Sequence, residues 1–149
     1  MNPFDIRTLV LAKHAQHVVL IHFPIALFIA GAMFDWLGQW KKHRALTVVA
    51  YYNFLGAAMA TLPATITGII AWRWALEGQR LKGILLLHLA LGCLSSLLIW
   101  ITWLIHKKAQ HKEDPILPGY RLPIEAVGVV IVALTGHLGG FLSGVNGPG

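Results

Sequence analysis

The sequence predicts an all-α integral membrane protein: an antiparallel bundle of four transmembrane helices, with both termini on the extracytoplasmic side. Two observations indicate this class. Of the 149 residues, 56% are hydrophobic and only 12% are charged, whereas soluble domains carry roughly 25% charged residues. Four apolar stretches also approach or exceed the roughly 18–20 residues that span a bilayer as a helix. Because these stretches use up the chain, residues 1–149 are expected to form a single domain.

The four spans are predicted at about 15–37, 46–72, 83–105 and 123–145. The first is too long for a secretory signal sequence, and it ends in Trp36, Trp40 and Lys41 instead of a small-residue cleavage site. Tryptophans near the span ends are typical of the aromatic belts that lie at membrane interfaces.

The distribution of basic residues predicts the orientation. Five lie on the side of the termini (Arg7, Lys13, Arg73, Arg80, Lys82) and seven on the other side (Lys41, Lys42, Arg44, Lys107, Lys108, Lys112, Arg121). The positive-inside rule therefore places both termini outside the cytoplasm. Most of the net charge of +6 belongs to these connections, where it meets anionic lipid headgroups, so it does not indicate nucleic-acid binding.

Three histidines, His22, His88 and His137, interrupt the apolar spans. At 1.5 Å per helical residue, each is expected roughly 8–12 Å below the outer membrane boundary. An imidazole in hydrocarbon is costly unless it is used, so intramembrane histidines indicate a functional site. His17, one or two turns above His22, and Thr67 in the second span lie near the same level.

Small residues at intervals of four predict which helix faces approach one another. They form one stripe in each span: His22, Ala26 and Ala30; Gly56, Ala60, Ala64 and Gly68; His88, Gly92 and Ser96; Gly136, Gly140 and Gly144. His22 and His88 head two of these stripes and should face the bundle interior. The outer half of the bundle is expected to be polar and the inner half almost wholly apolar.

The other titratable groups are expected to lie outside the site. His14, His43, His106 and His111 are predicted to be solvated, and Asp35, Glu77 and Glu125 to belong to loops or helix ends. The missing carboxylate at the depth of the histidines disfavours a zinc or copper site and a proton relay. The chain has no nucleophile elbow, phosphate loop, CxxC or HExxH pattern, which leaves hydrolase, kinase and zinc-protease functions without support.

Haem b suits histidines at one level in an apolar four-helix bundle, because its iron takes two axial imidazoles while the macrocycle needs apolar walls and small residues. Two alternatives remain open: a histidine-lined quinone or metal site without haem, and a non-catalytic membrane anchor or assembly subunit whose histidines only join helices.

The strings His-Val-Val-Leu-Ile-His-Phe-Pro from His17, Leu-Pro-Ala-Thr-Ile-Thr-Gly from Leu62 and Thr-Gly-His-Leu-Gly-Gly from Thr135 resemble a bacterial membrane family, domain of unknown function 2231. The resemblance covers about residues 14–145. It implies a four-helix membrane domain that often occurs beside Rieske or cytochrome c modules, and hence electron transfer. Val18 departs from the proline that is usual after the first histidine.

The sequence thus predicts an electron-transfer subunit of the bacterial inner membrane, rather than a stand-alone enzyme, that connects a quinone pool with a redox protein such as a cytochrome c or Rieske protein. His22 and His137 are the preferred haem ligands, with His88 bound to a propionate or quinone or replacing one ligand. The other predicted cofactor contacts are His17, Thr67, Gly68, Gly136 and Gly140. A chain this small is expected to act as a subunit or a homo-oligomer.

Overall fold

The computed structural model describes residues 13–74, 77–78, 80–110 and 117–144, and over these ranges the chain is all-helical. The helices are α1 (Lys13–Lys41), α2 (Arg44–Trp74), α3 (Gly83–Gln110) and α4 (Arg121–Leu142). They coincide with the four predicted spans, and most extend a few residues beyond them. Each of the four is long and apolar enough to cross a membrane, so the predicted all-α class with four spans is confirmed. The side of the membrane on which the termini lie stays a prediction.

The helices form an up-and-down bundle. Each packs against the next one in the chain, α1 most extensively against α2, and α4 returns to α1. The α1–α2 connection is two residues long: Lys42 adopts a left-handed φ of 52°, and the His43 amide donates to the Gly38 carbonyl at 2.9 Å. We call the end where α1 begins and α4 ends the terminal end, and the other the opposite end.

Two phenylalanines facing glycines form the centre of the core. Phe28 of α1 and Phe54 of α2 are fully buried, with ring centroids 5.5 Å apart. The Phe54 ring lies over Gly31 of α1, and the Phe28 ring lies over Gly128 of α4. Because glycine has no Cβ, these rings bring α1 close to both of its neighbours, as small residues do in membrane helix packing.

The outer surface of the bundle is strongly apolar. Large exposed hydrophobic side chains occur on all four helices, including Met33, Ile66, Leu97 and Val130. A monomeric soluble protein rarely exposes a contiguous apolar surface of this extent. The exposed side chains therefore match a lipid environment around the bundle.

The small-residue stripes are only partly where the sequence predicted them. Gly56 and Gly68 of α2 do face α1, where a Cβ would meet Leu27 and His17, respectively. The α1 stripe headed by His22 instead faces outward: His22 and Ala26 are exposed. The inward face of α1 passes through Pro24, Phe28, Ala32 and Asp35, which repeat at the three- and four-residue spacing of one helical face.

Replacing Gly128 with alanine is expected to destabilise the bundle. A Cβ would lie 2.6 Å from the Phe28 ring, and this fully buried ring cannot swing away. Overpacking costs about 1–3 kcal/mol, which outweighs the gain of about 1 kcal/mol in helix propensity. Reversible unfolding in bicelles should show a net loss of stability of up to about 2 kcal/mol.

Gly92→Ala is the matched control, because its Cβ would lie an ordinary 3.9 Å from Thr135. Equal stability of the two variants would contradict the assigned contact between α1 and α4.

Candidate functional site

An apolar cavity lies in the half of the bundle nearer the terminal end. Its volume of about 550 Å³ falls within the roughly 300–1,000 Å³ of small-molecule and cofactor pockets. Most of its walls come from α2 and α3, with α1 and α4 at its back. The polar or small lining residues include His17, Thr61, Ala64, Thr65, Gly68, His88, Gly92, Cys93, Ser95, Ser96, Thr135 and Gly136. Thr65, Leu89 and Cys93 are exposed, so the cavity opens between α2 and α3 toward the lipid.

His88 of α3 lies half-buried in the wall of this cavity. Its Nδ1 is 3.1 Å from the Thr135 carbonyl oxygen of α4. A carbonyl can only accept, so Nδ1 carries the proton and the neutral ring has its lone pair on Nε2. The ring edge rests on α4, where a Cβ on Gly139 would be 3.2 Å from it.

His17 of α1 lines the same cavity from the facing side. Its Nδ1 lies 3.3 Å from Thr67 Oγ1 of α2. The Thr67 hydroxyl is within 2.8 Å of the Pro63 carbonyl oxygen, to which it donates, so it accepts from His17. The proton therefore sits on Nδ1 of His17 as well. The imidazole lies against Gly68, where a Cβ would be 2.9 Å from its Cε1 atom.

His22 and His137 do not line this cavity. Both side chains are exposed, and the expectation that His22 faces the bundle interior is wrong. His22 Nδ1 donates to the Val18 carbonyl of its own helix at 2.6 Å. The His137 ring packs edge-on against Phe141, with centroids 5.0 Å apart. Their role as haem ligands stays a prediction.

Hydroxyl side chains in the wall of the cavity join neighbouring helices. Ser95 of α3 and Thr135 of α4 are hydrogen-bonded at 2.9 Å, and Trp100 Nε1 donates to Thr61 of α2 at 3.1 Å. Of the predicted glycines, Gly68 and Gly136 line the cavity, and Gly140 is half-buried near the end of α4. The cavity thus brings together His17, His88, Gly68 and Gly136, with Thr67 directly behind His17.

A second polar group is buried near the opposite end. Arg121 Nε of α4 donates to Asp35 Oδ2 of α1 at 2.7 Å, and Arg121 also donates to Gln39 at 2.7 Å. His106 Nε2 of α3 lies 3.0 Å from Glu125 Oε1 of α4. We call Asp35, His106, Arg121 and Glu125 the ionic cluster; all four are at least 98% buried.

This cluster corrects several expectations. His106 is not solvated, Asp35 and Glu125 are not loop or helix-end groups in contact with water, and the inner half of the bundle is not wholly apolar. Arg121 is buried in this cluster and does not lie in a loop. Without it, six basic residues on the side of the opposite end stand against five on the side of the termini. For His43 the structure agrees, since it is exposed; the His14 side chain and His111 lie outside the described residues.

A sequence signal for the cluster was present. Asp35 and Glu125 fall inside the predicted spans 15–37 and 123–145, where an acidic side chain indicates a buried partner by default. On α3, the buried residues Ser95, Thr102 and His106 repeat at the spacing of one helical face. What the sequence could not reveal was that three separate helices bring these groups together.

The two sites differ in their capacity for a metal ion. Ligand atoms of Asp35, His106 and Glu125 all lie within 4.8 Å of one another, which is a geometry that a small cation can use. Within the described ranges, no such group of three occurs in the cavity. The cavity offers two imidazoles, a donor set that suits the iron of a haem better than a free zinc ion.

The family of predicted membrane proteins designated domain of unknown function 2231 (DUF2231) matches residues 13–147. The chain belongs to this family. The match covers all four helices of the DUF2231 bundle and confirms the predicted resemblance. No curated protein and no solved structure matches the chain.

Arg121→Met is expected to destabilise the DUF2231 bundle strongly, because it leaves the Asp35 carboxylate buried without its partner. Breaking a buried pair in this way costs about 3–5 kcal/mol. The measurement is reversible unfolding in bicelles. Adding Asp35→Asn should restore part of the loss, since it removes the orphaned charge.

The matched control is Arg44→Met, which removes an exposed guanidinium at the start of α2. If Arg121→Met were no more destabilising than this control, the Asp35–Arg121 pair would not hold α1 to α4.

Proposed function

We propose that this DUF2231 protein is a haem b-binding electron-transfer subunit of the bacterial cytoplasmic membrane, with His17 and His88 as the axial ligands. The observation that carries the proposal is that two imidazoles, one from α1 and one from α3, line the same apolar cavity. Cofactor sites in helical bundles are built in this way, from side chains on facing helices.

The hydrogen bonds of the two rings support ligation. Histidines that bind iron usually donate their second ring nitrogen to a carbonyl, carboxylate or hydroxyl group, which fixes the tautomer and the ring orientation. His88 donates to the Thr135 carbonyl and His17 donates to Thr67. In both rings the lone pair is therefore on Nε2, the atom that would bind iron.

The cavity walls also suit a flat, apolar macrocycle. Gly92 and Gly136 line the cavity without a side chain, and Gly68 admits the His17 ring at van der Waals contact. Among the described residues that line the cavity, there is no Lys, Arg, Asp or Glu. The lining therefore suits an apolar macrocycle, because no charged side chain of the described residues competes with it.

Bis-histidine haem b supplies one-electron transfer. In this proposal the terminal end faces the extracytoplasmic side, where a redox partner such as a cytochrome c or Rieske protein docks. The lateral opening between α2 and α3 faces the bilayer and gives access to the quinone pool. The protein acts as a subunit of an oxidoreductase complex or as a homo-oligomer.

The same opening favours a second candidate, a quinone site without haem. Thr65 and Cys93 lie at the mouth of the cavity and are exposed to lipid, and His17 and His88 offer polar contacts to a quinone carbonyl deeper inside. A lipid-soluble ligand could enter by this route without leaving the bilayer. Lipid extraction and mass spectrometry of the purified protein would detect a co-purified quinone.

His17→Ala and His88→Ala are expected to abolish haem binding, because each removes one axial imidazole. The protein is purified in mild detergent from cells supplied with a haem precursor. Oxidised and dithionite-reduced spectra are recorded, and haem is quantified as the pyridine haemochrome. Wild type should contain haem near stoichiometry, and both variants should lose the reduced bis-histidine spectrum.

Four further variants make this test specific. His43→Ala changes an exposed connection and should retain haem, and so should His22→Ala and His137→Ala if the cavity is the site. Gly68→Ala should weaken haem binding without removing a ligand, since its Cβ would displace the His17 ring. Loss of haem in the His22 and His137 variants alone would move the site to the outer surface, and colourless wild-type protein would refute the haem proposal.

A further inference from the structure

The charges of the ionic cluster do not balance. Asp35 and Glu125 carry one negative charge each when ionised, Arg121 carries one positive charge, and a neutral His106 carries none, so the sum is −1. All four side chains are almost completely buried. An uncompensated charge in such a place is costly, and titratable groups avoid the cost by changing their protonation state.

The neighbouring groups do not supply the missing positive charge. α2 packs Phe54 against His106, with ring centroids 4.7 Å apart, and α1 contributes the neutral amide of Gln39 to Arg121. Lys107 and Lys108 follow His106 on α3, and both are exposed. The Lys107 Nζ lies over the Trp103 ring, 4.9 Å from its centroid.

Two buried oxygens point to where the missing charge belongs. Asp35 Oδ2 and Glu125 Oε1 are engaged by Arg121 and His106. Asp35 Oδ1 and Glu125 Oε2 are buried and have no hydrogen-bond partner within the described residues. Oxygens of both carboxyls and a ring nitrogen of His106 lie within 4.8 Å of one another. Two carboxylates this close, out of water, do not both ionise.

We propose that Asp35, His106 and Glu125 form a proton-binding site that holds one additional proton. The reference for this count is a neutral His106 imidazole with both carboxyl groups ionised. With this proton the cluster, including Arg121, is neutral. The proton belongs to the group of three side chains, since strongly coupled titratable groups share their protons. The site lies at the other end of the bundle from the cavity and does not depend on the ligand of the cavity.

The charge count favours a proton over a divalent cation. A cation of charge +2 among the same residues would change the sum from −1 to +1, because Arg121 already neutralises one carboxylate at 2.7 Å. Burying a net positive charge is no better than burying a negative one. A single proton brings the sum to zero.

The first test detects the proton directly in the wild-type protein. Isotope-edited infrared spectra in lipid are recorded at neutral pH with labelled Asp, Glu or His. The chain contains only six acidic residues, so the bands can be assigned with single variants. The proposal predicts either a protonated carboxyl that disappears in Asp35→Asn or Glu125→Gln, or an imidazolium that disappears in His106→Gln. Six ionised carboxylates together with a neutral His106 would overturn it.

The second test follows the melting temperature as pH rises. Wild type is neutral while the proton is bound and acquires a buried negative charge when it leaves, so its melting temperature should fall by roughly 5 °C or more across the release. In Glu125→Gln the cluster carries one negative charge fewer and is neutral without the extra proton. The melting temperature of this variant should therefore not fall over the same alkaline range, whatever its value at neutral pH.

Glu77→Gln is the matched control, because it removes an exposed carboxylate; it should keep the wild-type pH dependence. An alkaline fall of equal size in Glu125→Gln would contradict the proposal. So would stoichiometric divalent metal in the purified protein, lost together with the stability on chelation, because this would make the cluster a metal site.

Discussion

The contact between Arg121 and Asp35 constrains the bundle more than any other. The two buried side chains join the start of α4 to α1, with 2.7 Å between Arg121 Nε and Asp35 Oδ2. This contact links the first helix to the last, which no connection of the chain does. A charge in the membrane interior is tolerated only with a partner, which makes the register of α1 against α4 nearly obligatory. The same register seats Phe28 on Gly128 and brings Glu125 toward His106.

The bundle divides its polar groups between two ends with opposite character. At the opposite end, charged groups are sealed by Phe54 and by the helices around them. Near the terminal end, neutral imidazoles and hydroxyl groups line an open cavity of about 550 Å³. α2 and α3 contact each other less than α1 and α2 do, and the cavity lies between them.

Glycines determine where the imidazoles can lie. His17 rests on Gly68, and His88 rests beside Gly139, so each ring lies against a backbone without a side chain. Thr67 and the Thr135 carbonyl then orient the rings by hydrogen bonds. The backbone of α2 and α4 therefore shapes the cavity together with the histidines.

The sequence by itself determined the four helices, their membrane character and the intramembrane histidines, because length and hydropathy are properties of each segment alone. It did not determine which face of α1 turns inward. The spacing of His22, Ala26 and Ala30 is compatible with either direction, and only the fit of Phe28 and Asp35 to α2 and α4 turned His22 outward. The pairing of His106 with Glu125 likewise depends on contacts between residues of different helices. Such contacts belong to the tertiary structure, since no periodicity within one helix can encode them.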